Sequence, residues 1–159
     1  MDDTKSDQPV NHLKESNLAI RAIDTLHDIH TATNDVLTGY REMEKRAQPE
    51  IQTVIRRLSD MHQRHASEQE AELVHLRAAA KADASLQGTV NKVVVILRDW
   101  VSDLDRDVLP AVRQGEEALR DEYKKALEEP QLLEFPSVVA VLRAQSDAIV
   151  SEIARLPKG

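Results

Sequence analysis

The chain has 159 residues, enough for a single domain, with 28 acidic and 21 basic side chains and a net charge of -7. That balance argues against non-specific nucleic-acid binding and against docking on an anionic membrane. Zero Cys excludes disulfides, thiolate zinc sites and thiol catalysis, and suits a reducing cytoplasm. With only 4 Gly and 6 Pro, the composition predicts a nearly all-helical protein. The few large plates available to an aliphatic core are Tyr40, Trp100, Tyr123 and Phe135.

The first residues, up to about Ser16, are polar and acidic, lack the apolar stretch of a secretory signal and read as a flexible tail. From about Asn17 to Arg46 a helix is predicted on the stripe Leu18, Ala22, Leu26, Ile29, Thr33, Val36, Tyr40 and Met43. Gln48-Pro49 ends it, and Pro49 suits the first turn of the next helix, where its missing N–H costs nothing. That second helix runs to about Lys81, with Ile51, Val54, Ile55, Leu58 and Met61 along its apolar side. Two long helices joined by a tight turn are expected to pack antiparallel.

Midway along the second helix the stripe turns polar. His62, His65, Gln69 and Glu72 follow at helical spacing before Leu73, Leu76 and Ala80 restore it. Each such group buried without a partner costs about 1–3 kcal/mol, so partners, water, a metal or exposure are required.

Beyond Ser85 a third helix is outlined by Leu86, Val90, Val93, Leu97, Trp100, Val101 and Leu104, and its run Val93–Leu97 is the expected face of a homodimer. No run of apolar residues is long enough to cross a bilayer. A fourth helix carries Leu109, Val112, Glu116, Leu119, Tyr123 and Leu127 on one side. After Pro130 and Pro136 a last helix, about Ser137–Leu156, carries Val138, Val141, Leu142, Gln145, Ala148, Ile149, Glu152, Ile153 and Leu156. Residues 17–157 are thus expected to form one domain, and the stretch from Ser85 to Leu104 is long enough to cross its length.

The candidate metal ligands are His62, His65, Glu68, Glu72, His75 and Glu116. His65 with Glu68, and Glu72 with His75, stand one turn apart, and imidazole with carboxylate suits iron, manganese or zinc. Folding the first hairpin at Gln48-Pro49 is expected to bring His30 and Thr33 to about the height of His62 and His65. Di-metal carboxylate bundles use two Glu-x-x-His helices and a Glu from each of the others. Here only Glu72-x-x-His75 has that order, Thr33 stands where a carboxylate is wanted, and the last helix has no His. No Gly-rich phosphate loop or nucleophile elbow is present.

LHDIHTATNDVLTGY from Leu26, SLQGTVNKVVVILRDW from Ser85 and AVRQGEEALRDEYKKALEE from Ala111 resemble a bacterial family of ferritin-like four-helix-bundle proteins of uncharacterised function. The resemblance implies two antiparallel helix hairpins joined by a long helical crossover between the second and third bundle helices. It carries over Glu72, His75 and Glu116 from the metal-binding members of the superfamily, and makes stress-associated expression unsurprising. The expected function is that of a non-enzymatic structural or interaction protein, a cytoplasmic homodimer without a resident cofactor. The alternatives are a metal-binding bundle with a redox or storage role, and a binder of a small polar ligand in the same interior gap.

Overall fold

A computed structural model describes residues 8–80 and 104–159, with side chains from residue 17 onward. The described residues form four α-helices: α1 (Gln8–Glu44), α2 (Pro49–Ala80), α3 (Leu109–Leu127) and α4 (Pro136–Arg155). Short 3₁₀ turns at Arg106–Val108 and Pro130–Glu134 precede α3 and α4. Helix α1 begins at Gln8, well before Asn17, so part of the segment read as a tail is helical. Pro49, Pro110 and Pro136 all sit in first helical turns.

The helices pack α1 on α2, α3 on α4, α1 on α3 and α2 on α4 around one aliphatic core. Side-chain bonds give their directions. Arg57 and Glu72 of α2 meet Glu152 and Ser137 of α4, so α2 and α4 run antiparallel. Tyr40 and Thr33 of α1 meet Glu116 and Tyr123 of α3 in the same sense, and Arg113 of α3 reaches the Ile153 and Leu156 carbonyls at the end of α4. The α1–α2 hairpin is antiparallel as expected, with His30 bonded to Gln69 and Arg41 to Gln63.

The predicted stripes face the core. Ala22, Leu26, Ile29, Thr33, Val36, Tyr40 and Met43 are buried on α1, and Ile51, Ile55, Leu58, Met61, His62, His65 and Gln69 on α2. Removing a Leu- or Ile-sized side chain from water contributes about 1.5–3 kcal/mol, so these stripes dominate the stability of the fold.

Two expectations require correction. Leu104, read as the end of a helix, is instead extended: it forms a parallel bridge with Ala47, its N–H donating to the Arg46 carbonyl at 3.0 Å and its carbonyl accepting from Gln48 N–H at 2.8 Å. The bridge satisfies backbone groups freed where α1 ends. The heights within the first hairpin also differ. Tyr40, not His30 or Thr33, stacks on His62, with ring centroids 5.8 Å apart, and Thr33 meets Gln69. Side chains lean toward the N-terminus of their own helix, away from the turn on α1 and toward it on α2, so a residue of α2 meets a partner on α1 nearer the turn than backbone height alone suggests. Trp100 and Val93–Leu97 lie outside the described residues.

Candidate functional site

The polar gap in α2 belongs to two buried layers that recur on all four helices. Thr33 and Tyr40, His62 and Gln69, Glu116 and Tyr123, and Gln145 and Glu152 are each separated by one heptad, about 10.5 Å along a helix. Seven residues are close to two turns, so both members of the first three pairs are buried on the core side, while Glu152 of the fourth lies at the boundary.

In the first layer Gln69 is the hub. Its Nε2 amide shares two hydrogens among three acceptors, Thr33 Oγ1 at 3.1 Å, Tyr123 OH at 2.7 Å and Gln145 Oε1 at 2.9 Å. The Tyr123 hydroxyl in turn donates to Gln145 Oε1 at 2.8 Å, and Gln145 Nε2 donates to the His65 carbonyl at 3.2 Å. Thr33 donates to the Ile29 carbonyl at 2.9 Å. Gln69 Oε1 lies 3.2 Å from His30 Nδ1, and Asn34 Nδ2 lies 3.0 Å from His30 Nε2. One tautomer, with the His30 proton on Nδ1, satisfies both contacts. Every side chain in this layer has a partner, so its burial is compensated.

The second layer is not closed. Glu116 and His62 are fully buried, with Glu116 Oε1 2.8 Å from His62 Nε2, and the Tyr40 hydroxyl bonds the same oxygen. With Glu116 as a carboxylate, Oε1 accepts from both, which puts a His62 proton on Nε2. Among the described residues, Glu116 Oε2, His62 Nδ1 and the nearby His65 Nδ1 are buried without a hydrogen-bond partner. His65 meets His62 edge-on at 5.7 Å. The remaining position of the layer, Glu152, is half-buried and turns outward to Arg57 and Arg155.

Burial dominates the electrostatics of both layers. It lowers the pKa of His65 to about 3, assisted by the neighbouring His62 and Arg64 charges. Burial also raises the phenol of Tyr40 well above its usual range, with the Glu116 charge acting in the same direction, and raises that of Tyr123.

Of the six candidate ligands, the structure brings three together: His62, His65 and Glu116. Glu68 and His75 are exposed on α2, and Glu72, half-buried at the boundary, accepts a bond from Ser137 at 2.7 Å. Once Gln69, Leu73 and Leu76 define the core line, Glu72 falls on its flank. Among the described residues no three His, Asp or Glu side chains are gathered closely enough to hold a metal ion. Tyr40 is the participant that stripe counting placed in the core without assigning it to the site. The heptad spacing of polar residues on four helices is the signal that marks both layers.

The fold and these layers define an all-helical protein with a polar interior and, among the described residues, no helix long and apolar enough to cross a membrane. The chain belongs to the family described as Domain of unknown function (DUF2383), whose model matches residues 21–129. That match spans α1 to α3 and therefore Tyr40, His62 and Glu116, but not α4. No curated protein and no solved structure matches the chain.

Proposed function

We propose that this is a non-enzymatic, ferritin-like helical bundle of the cytoplasm, a structural or interaction protein whose polar layers fix how its two hairpins fit together. The observation that carries this reading is the closed network around Gln69: a single amide links side chains of α1, α3 and α4, and no group in the layer is left for a substrate. A buried polar group with partners on several helices penalises every other alignment of those helices, the best-attested use of core polarity. The ferritin-like assignment is supported by the helix directions and by the ends of the two hairpins. Ala79 lines a groove with Leu18 and Phe135 at one end of the core, whereas Leu104 bonds to Arg46 and Gln48 at the other. Chain ends so placed suit a crossover along the bundle. The absence of Cys suits the cytoplasm.

A second reading is favoured by the unpartnered Glu116 Oε2, His62 Nδ1 and His65 Nδ1: a divalent ion drawn in by these groups, with iron, manganese or zinc the candidates. Bound there, an ion would supply a redox or Lewis-acid centre, held by Glu116 and the two imidazoles after side-chain rotation. The two readings separate on metal content. Protein purified without chelator and incubated with each metal is expected to carry far less than one ion per chain. One ion per chain, lost in Glu116→Gln with the helical signal retained, overturns the structural reading in favour of the second.

A further inference from the structure

Helix α4 presents its buried side, Val138, Leu142, Gln145, Ile149 and Ile153, to the core. Its opposite side carries Pro136, Ala140, Arg143, Asp147, Val150 and Ala154, all exposed, with Val150 48% accessible. These positions alternate by three and four, which lines them up along a face about 30 Å long. Only two of the six are charged, and the charges are opposite. Neither Arg143 nor Asp147 makes a hydrogen bond or ion pair among the described residues. With Arg one turn ahead of Asp, their order is also the weaker one for a pair within a single helix.

The spacing of those charges singles out one occupant. A two-fold axis passing beside α4 midway between Arg143 and Asp147 puts each Arg143 opposite the Asp147 of a second, antiparallel α4. The same axis puts Ala140 opposite Val150 and Pro136 opposite Ala154, each twice. It also falls at the middle of Pro136–Arg155, so the two helices overlap along their whole length. Self-complementarity about one axis is the signature of an isologous dimer. The two charged positions lie at the centre of the face with apolar ones beyond them in both directions, and their signs are complementary rather than equal, which is what a second, antiparallel copy can match.

We propose that α4 is the face through which two copies of this chain associate, antiparallel, with reciprocal Arg143–Asp147 pairs flanking the axis and Ala140 seated against Val150. The small Ala140 lets the helices approach, and Val150 fills the space that it leaves. This interface is separate from the polar layers and does not depend on what they do. It also differs from the Val93–Leu97 face expected from the sequence.

The test is light scattering on the full-length protein at micromolar concentration, with circular dichroism as the control for folding. The native chain is expected to run as a dimer. Arg143→Asp and Asp147→Arg each put like charges opposite one another, and each is expected to weaken association by more than about tenfold. Mixed one to one, the two variants regain complementary charges at both contacts and are expected to form a heterodimer. Val150→Lys is expected to dissociate the dimer regardless of charge pairing. A monomeric native chain overturns the proposal. So does a dimer indifferent to both reversals, which places the contact elsewhere, or folded variants that fail to associate when mixed.

Discussion

His62 Nε2 lies 2.8 Å from Glu116 Oε1, with both side chains fully withdrawn from solvent. The contact joins diagonally placed helices, α2 and α3, and the Tyr40 hydroxyl on α1 closes onto the same carboxylate oxygen. Three of the four helices are therefore tied to one atom of Glu116.

Removing Glu116 alone strands His62 Nε2 and the Tyr40 hydroxyl in an apolar interior. Glu116→Leu is expected to lower stability by about 3–5 kcal/mol, the usual cost of breaking a buried pair. Replacing both partners, His62→Leu with Glu116→Leu, is expected to recover part of that loss, because the imidazole is no longer stranded and only the Tyr40 hydroxyl is left without its acceptor. Urea denaturation of the two single variants and the double variant measures this directly. A double variant as unstable as the sum of the singles would show that the pair is not coupled.

Acid is expected to destabilise the fold through His65. Folded His65 takes up its proton only near pH 3, whereas the unfolded side chain does so near 6.5. Between those values the unfolded chain holds more protons, so stability falls as the pH is lowered through that window, by at most about 1.4 kcal/mol per pH unit. Below the window both states are protonated and this contribution stops changing. His65→Gln is expected to flatten the slope, as read from the urea midpoint against pH.

The only two tyrosines of the chain, Tyr40 and Tyr123, are both in the layers. Burial keeps both phenols protonated beyond the ordinary value of 10.0, so the folded protein holds protons that the unfolded chain releases. Stability is thus lost as the pH rises above about 10. In an alkaline titration the phenolate absorbance is expected to appear only together with the loss of helical circular dichroism. Phenolate absorbance rising near pH 10 in still-helical protein would place at least one tyrosine outside a buried layer.

Much of this arrangement is legible in the sequence, for a physical reason: the stripes are spaced by helix geometry, and burial follows the stripes. Thr33, Tyr40, His62, Glu116, Tyr123 and Gln145 all fall on them and are all buried. Which of them touch is less legible, because it depends on the lean of side chains along antiparallel helices. That lean is why His62 meets Tyr40 and not Thr33. The candidate ligands Glu68 and His75 point to solvent because nearness in sequence along a helix does not carry a residue round to its core side. The Leu104 bridge left no periodic trace, since it is made by backbone atoms alone.

The Gln69 layer tests the central claim most directly. Replacing it with apolar residues of similar shape, Thr33→Val, Gln69→Leu, Tyr123→Phe and Gln145→Leu together, removes every fully buried side chain of the layer at once and leaves only the half-buried His30 without its Gln69 contact, so it strands little. The measurement is an amide ¹H–¹⁵N correlation spectrum of this variant beside its urea midpoint. The variant is expected to stay helical with a midpoint at or above the native one, while its resonances broaden or multiply as the hairpins sample alternative alignments. A sharp, single set of resonances at undiminished stability would contradict the claim that the polar layer fixes how the hairpins fit.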